Sequence, residues 1–265
     1  MSESPAQLWR ALVSTDPSRP FVTAYDDLGD RIELSRATLD NWVSKTSNML
    51  VDGFGTQPGD RAALALPPHW QSFAWVLSCW SVGASVVLAA DGIAPDTEVA
   101  VVGPDLLEAA LDSGAEEVVG TSLDPLGLPL PEAPAMVTDY TVEVRGHGDH
   151  FSPYPVDPGE PAVEASGQTL TGTEVVAAGR ALAERWNLNG EDRLAVVVDP
   201  DAPLTDLGAD LSVLTAAVAS GVPLVLTPPP AEDGLDAFLK RMGTERVSVL
   251  YGTRPEGELP FRRVG

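Results

Sequence analysis

The chain has 265 residues, 44% of them hydrophobic, with 16 basic against 39 acidic side chains and a formal net charge of -23. That length suits one large α/β domain or two small ones with a real apolar core. Such negative charge argues against nucleic acid or an anionic membrane surface as partner and is read as a solubility feature. Cys79 is the single cysteine, so no internal disulfide is possible. It sits in an apolar helical stretch, where a packed thiol is expected. Residues 1–5 lack the basic and apolar parts of a signal peptide, and no apolar run reaches membrane-spanning length. A soluble, cytoplasmic protein is expected.

Residues 5–15 read as a short helix, ended by Asp16-Pro17-Ser18-Arg19-Pro20. Phe21–Tyr25 and Arg31–Leu34 are strand-like and flank Asp26–Asp30, which reads as a hairpin turn. Ser35 is a plausible N-cap for a helix carrying Leu39, Trp42, Val43, Thr46 and Leu50. Gly53 and Gly55 end it. Residues 62–66 form a continuously apolar strand of the kind buried on both faces. A helix follows near 69–82, then strands at 85–89 and 99–102, a helix at 105–113 and a short strand at 118–119. Between Thr121 and Pro161 proline is frequent, which predicts loop with one strand near 140–145. A sub-domain boundary is placed at about Pro155, giving units of residues 1–155 and 156–265. The second unit alternates again. Strands are expected at 162–165, 194–198, 222–227 and 246–250, helices at 171–188, 206–220 and 232–242, and a coil tail from Gly252. Strands separated by helices imply two wound βαβ sub-domains with parallel sheets.

The stretch Pro58-Gly59-Asp60-Arg61, an apolar strand, Pro67-Pro68-His69-Trp70, and then Gly83-Ala84 before a second strand resembles the opening βαβ unit of adenylate-forming enzymes. These are the acyl-CoA synthetases, amino-acid adenylation domains and luciferases. Arg31-Ile32-Glu33-Leu34-Ser35, the helix from Val175 to Leu188, Ser220–Leu226 and Arg246–Gly252 resemble further stretches of the family in the same order. The resemblance implies an α/β fold matching the first part of that family's N-terminal domain. The pattern is most similar to truncated versions found in short actinobacterial proteins.

The family also needs a Ser/Thr/Gly-rich loop ending Pro-Lys-Gly, in which freed backbone N–H groups and a lysine hold ATP phosphates. Only Ser166-Gly167-Gln168 stand between the strand ending at Ala165 and Thr169-Leu170-Thr171. Lys45 and Lys240 are the only lysines, and neither lies in a glycine-rich context. Ser166, Gly167, Thr169 and Thr171 are therefore the candidate cofactor-binding residues, as a remnant of the phosphate-loop region. No catalytic residue, no metal and no bound ATP or AMP is expected. The resemblance implies a truncated, non-catalytic AMP-binding-like protein, a binding or interaction module. The alternative is a split or degenerate acyl- or aminoacyl-AMP ligase needing a partner chain. A third class is a carbohydrate- or nucleotide-binding regulator using the cleft between the two parts. A homodimer or a second protein chain docking at the C-terminal unit is expected as partner.

Other patterns carry less. Gly167–Thr173 has two glycines at Walker-A spacing but Thr173 where that motif needs lysine. His147-Gly148-Asp149-His150 could offer a metal two imidazoles and a carboxylate, without a supporting cluster. Asp199, Asp201, Asp206 and Asp210 do not match a calcium loop. Thr205 or Asp206 reads as a helix cap, and this segment is the best remaining location for a small ligand. Trp75 and Trp80 do not share a helical face, so one of them is expected to meet a partner or the second sub-domain.

Overall fold

The structure is a computed structural model that describes residues 3–26, 29–89, 92–153, 155–231, 234–253 and 259–265. Helix α1 (Pro5–Thr15) starts at a Ser4/Gln7 capping box. Strands β1 (Pro20–Tyr25) and β2 (Arg31–Ser35) pair antiparallel, as expected, though residues 27 and 28 of their turn lie outside the described set. Helix α2 (Arg36–Asn48) is capped by Ser35 and runs on into a π-helical turn, Met49–Gly53. Strand β3 (Arg61–Ala65), helix α3 (Trp70–Val82) and strand β4 (Ser85–Leu88) form the βαβ unit. Strand β5 (Val99–Val102), helix α4 (Leu107–Leu111), strand β6 (Glu117–Gly120) and the short strand β7 (Thr138–Asp139) follow.

Residues 140–143, expected within a strand, form helix α5 (Tyr140–Glu143), because Asp139 caps the N–H groups of Thr141 and Val142. Strands β8 (Pro161–Ala165) and β9 (Gln168–Thr171) form a hairpin ahead of helix α6 (Gly172–Arg185). After β10 (Leu194–Val197), the helix expected over 206–220 is split. Leu204–Leu207 form one 3-10 turn, Gly208 and Leu211 take positive φ values of 91° and 54°, and α7 runs only over Ser212–Ser220. Neither Thr205 nor Asp206 caps it. Asp210 instead accepts from the Ser212 N–H at 3.0 Å. The chain closes with β11 (Leu224–Thr227), α8 (Leu235–Thr244), β12 (Val249–Gly252) and β13 (Arg262–Arg263). The tail is thus not all coil. Arg262 pairs beside Val249 and donates to the Asp192 carboxylate at 3.0 Å.

Two sheets result, in the orders β13-β12-β10-β11-β1-β2 and β7-β6-β5-β3-β4-β8-β9. All pairings are parallel except the edge hairpins β1–β2 and β8–β9. Each sheet draws strands from both sides of residue 155, so the sheets do not coincide with residues 1–155 and 156–265. One apolar cluster joins Leu194, Val196 and Leu224 of the first sheet to Leu64, Val86 and Val163 of the second through α1, α3, α6 and α7. The alternate residues Ala195, Val197 and Val225 pack under Phe238 and Met242 of α8. Val102 and Val118 pack under Leu107 and Ala110 of α4. The order of layers is helix, sheet, helices, sheet, helix. The inner strands β3, β4, β5, β10 and β11 are covered on both faces, which is why they read as continuous apolar runs. Trp75 and Trp80 are both internal. Trp75 lies 5.0 Å from the Tyr140 ring, and the Trp80 indole N–H reaches the Ala162 carbonyl at 3.0 Å. Burial pushes the Cys79 thiol up to about 12, as for an inert core thiol.

A buried carboxylate anchors one cluster of charges. Glu245, 2% exposed, accepts from Tyr25 Oη at 2.6 Å and Arg31 Nε at 2.7 Å, and pairs with Arg193 Nη2 at 2.9 Å. Glu33 accepts from both arginines, at 2.6 and 3.0 Å. Two carboxylates and two guanidiniums thereby tie β2, the start of β10 and the end of α8. Burial acts to raise the Glu245 carboxyl, but the bonds from Arg31 and Tyr25 and the charge of Arg193 outweigh it. The group therefore lies below its ordinary 4.5. A depressed carboxyl stabilises the fold above its unfolded value and loses that contribution as pH falls through the folded one.

Two outcomes are expected. Leu64, 3% exposed in the central strand β3, should cost about 2–5 kcal/mol as Leu64→Ala in urea unfolding. A loss under about 1 kcal/mol would contradict its core position. Glu245→Gln should lose about 3 kcal/mol at neutral pH by stranding the arginines. It should also flatten the decline of unfolding free energy below about pH 4.5, the ordinary value of the group. An unchanged acid slope would show that Glu245 does not carry it.

Candidate functional site

In an open parallel sheet, loops leaving neighbouring strands diverge where the winding reverses, and they open a crevice at the carboxyl ends. Both sheets have such a point. Strand β3 is flanked by β4 on one side and β5 on the other, and β10 by β11 and β12. The loops leaving β3 and β10 face each other. The Leu204 N–H donates to the Leu66 carbonyl at 3.0 Å and fixes them together.

The result is a two-lobed cleft. A lobe of about 440 Å³ lies over β3, β4 and β5, lined by Leu66, Leu88, Pro104 and Leu204 among others. A lobe of about 270 Å³ lies over β1, β10 and β11, lined by Tyr25, Ile32, His69, Val198 and Leu226 among others. Pro67, Leu123, Pro200 and Asp201 line both. The walls are mostly apolar. Asp26, Asp105, Asp199 and Asp201 supply carboxylates, and no lysine or arginine lines either lobe among the described residues. Asp199 and Asp201 belong to the acidic stretch singled out in the sequence. Asp206 lies just outside, its carbonyl accepting from Tyr251 Oη at 2.8 Å.

His69 was not legible as a site residue, having only the look of a helix-start position. It is the N-cap of α3, with Nδ1 accepting from the Gln71 N–H at 3.3 Å. Loss of solvation holds the imidazole down at about 4, against a small opposing pull from Asp124. It is therefore neutral at pH 7, with its proton on Nε2. The far wall is held by the same helix. Gln71 Oε1 accepts from Thr121 Oγ1 at 2.8 Å and the Leu123 N–H at 3.0 Å, and the Trp70 indole donates to the Pro125 carbonyl at 3.1 Å.

The four phosphate-loop candidates lie together on the far edge of the second sheet, and none of them lines either lobe. Ser166 and Gly167, at φ 52° and 75°, are the exposed central residues of a two-residue hairpin closed by the pair Ala165 and Gln168. Positive φ at both positions is the type I′ turn that suits strand twist. Thr169 is exposed on β9. Thr171 caps α6, accepting from the Glu174 N–H at 3.3 Å, while the Glu174 carboxylate accepts from the Thr171 N–H at 2.8 Å. The N–H groups of Gly172 and Thr173 donate to the carbonyls of Glu160 and Pro158 at 3.0 and 2.8 Å. The first turn of α6 thus has its donors engaged. His147 lies 3.6 Å from Glu143 and His150 3.4 Å from Ser152. Among the described residues no group of three or more His, Cys, Asp or Glu side chains could hold a metal. Nor is any described helix long and apolar enough to cross a membrane.

Two wound, largely parallel sheets around a shared helical layer, with a cleft at their carboxyl ends, define an α/β protein with the N-terminal fold of adenylate-forming enzymes. A Rhodopseudomonas palustris CGA009 protein whose crystal structure is described as a long-chain-fatty-acid CoA ligase superposes with a TM-score of 0.71 at 14% identity. The match covers 96% of this chain and 64% of that one, so the chain spans less than two thirds of the solved ligase. In sequence, the chain is 35% identical over 243 residues to a TIGR03089 family protein of Mycobacterium tuberculosis (strain ATCC 25618 / H37Rv), covering 89% of the chain and 93% of the relative. The chain belongs to that family. No protein-family model matches the sequence.

One of the three histidines should stay neutral in an imidazole NMR titration until about pH 4, and His69→Asn should remove that resonance. A group lowered from 6.5 withdraws stability as pH falls from 6.5 toward 4. A His69 resonance titrating near 6.5 would place the ring in open solvent.

Proposed function

We propose that this protein binds an apolar small molecule in the two-lobed cleft and does not form acyl-adenylates. The observation that carries this is the Ser166–Gly167 turn. Holding a triphosphate takes several backbone N–H groups aimed at the oxygens and usually a lysine. At the corresponding place the chain closes a hairpin in two residues, and the N–H groups of Gly172, Thr173 and Glu174 already have partners. Lysine is absent from the walls of both lobes among the described residues. The cleft itself favours binding. Its larger lobe, about 440 Å³, falls within the size range of small-ligand sites, and its lining is apolar with a few polar groups.

Adenylate formation is measured by ATP–pyrophosphate exchange with fatty, aromatic and amino acids. Exchange should stay at background for all three classes. Exchange above background that disappears in Ser166→Ala or Gly167→Ala would refute the non-catalytic assignment and return the hairpin to the role of a phosphate site.

A further inference from the structure

We infer that the cleft, taken as the binding site proposed above, selects an uncharged ligand whose hydrogen-bond acceptor meets the Nε2–H of His69. The geometry sets the donor. Nδ1 is committed to the Gln71 N–H, and Nε2 has no hydrogen-bond partner among the described residues. The ring lines the 270 Å³ lobe and stands at the start of a fully buried helix, so its position is fixed by the fold. Around it the smaller lobe is walled by the apolar Ile32, Leu123, Pro125, Val198 and Leu226, with Tyr25, Asp26, Asp199, Asp201 and Thr227 as the polar side chains of the same lobe.

Charge decides the rest. A ligand anion would face Asp26, Asp105, Asp199 and Asp201 with no cation in the lining among the described residues to offset them. Arg241 is close but stands behind the wall, stacked 4.4 Å from the Tyr25 ring centre and donating to Thr227 Oγ1 at 2.9 Å. A ligand cation seated at His69 would meet an N–H donor rather than an acceptor, in surroundings that already disfavour a charged imidazole. Asp199 and Asp201 are exposed, so water screens their pull on a cation as much as their repulsion of an anion, and what sets the cation apart is that it brings no acceptor to the Nε2–H. An amide, ester or alcohol on an apolar body avoids both conflicts. The body can extend past Pro67 and Leu123 into the larger lobe.

Three probes with one body separate the cases: 4-phenylbutyramide, 4-phenylbutyrate and 4-phenylbutylamine. Each is titrated into the full chain while imidazole ¹H–¹⁵N resonances are followed. Only His69, His147 and His150 contribute, and His69→Asn assigns the first. The amide should shift the His69 resonances saturably and bind at least about fivefold more tightly than the acid or the amine. His69→Asn, which keeps a good N-cap side chain, should weaken the amide by at least about fivefold while its melting temperature stays close to that of the parent. Asp201→Asn should improve the acid selectively. Acid or amine binding as tight as the amide overturns the selection of uncharged ligands and leaves the cleft function standing. Amide binding undiminished in His69→Asn overturns the role of His69 alone. No His69 shift and no thermal shift with any probe overturns both this inference and the cleft function.

Discussion

Helix α3 turns none of its thirteen residues to water, and most of the architecture answers to that. A helix buried on every side needs apolar cover all round, which one sheet cannot give. Two sheets and the flanking helices α1 and α2 supply it. Its polar side chains Gln71, Ser78 and Ser81 find partners inside, whereas Ser72 Oγ and the Trp75 indole N–H do not among the described residues. Ser78 donates to the carbonyls of Ala74 and Val43 at 2.6 and 3.0 Å, and Ser81 to Leu77 at 2.7 Å. Gln71 takes its partners from the loop at 121–124. That loop supplies Leu123 to both lobes. The same demand that satisfies a buried amide therefore builds a wall of the cleft, and the N-cap of the same helix supplies His69.

The remaining close approaches serve the same layer. Gly179 on α6 faces Thr215 on α7, where an added Cβ would stand 2.6 Å from the threonine methyl carbon. No side chain fits there, so the two helices meet at backbone distance. Arg36, 3% exposed, forms no salt bridge with a carboxylate among the described residues. Its guanidinium donates to the carbonyls of Leu12, Asp16 and Gly221, at the ends of α1 and α7. A cation there opposes the negative ends of two helix dipoles and meets carbonyls that would otherwise be bare.

Local pattern carried a good part of this into the sequence. The runs at 62–66, 85–89, 99–102 and 194–198 are apolar because both faces are covered, and they fall on β3, β4, β5 and β10. Gly83 ends α3 at φ 83°, the left-handed position a glycine takes most easily. What was not legible is long-range or depends on few residues. Strand β1 pairs with β11, about two hundred positions away, and nothing in Phe21–Tyr25 announces that. Strand β9 has four residues, of which 168–170 read as part of a phosphate-loop remnant and Thr171 as the start of the helix that follows. Its signal was Ser-Gly between two β-branched segments, which reads as a hairpin only once the phosphate-loop comparison is set aside. The break at Gly208 and Leu211 hides because Leu211, an ordinary apolar residue, takes a left-handed φ. His69 and Leu123 meet only through tertiary structure, so the cleft has no contiguous signature beyond the acidic stretch at 199–201.

A phosphate-gripping loop and a tight hairpin place opposite demands on the same backbone. The loop must leave several N–H groups without internal partners so that an anion can take them. The hairpin satisfies them within the sheet, and at Ala165–Gln168 the pairing continues directly into the capping box of α6. A chain of net charge -23 sets the same preference at longer range, since an approaching polyanion meets repulsion that no local lysine offsets. The edge hairpin and the acidic surface therefore act in one direction. Both disfavour phosphate at the edge of the second sheet. The crevice where β3 and β10 end does not depend on that edge, because it is made by the reversal of strand order in each sheet. A fold of this kind thus keeps a ligand-sized cleft whose walls do not depend on the hairpin at its edge. The winding that creates the cleft is also the winding that buries α3.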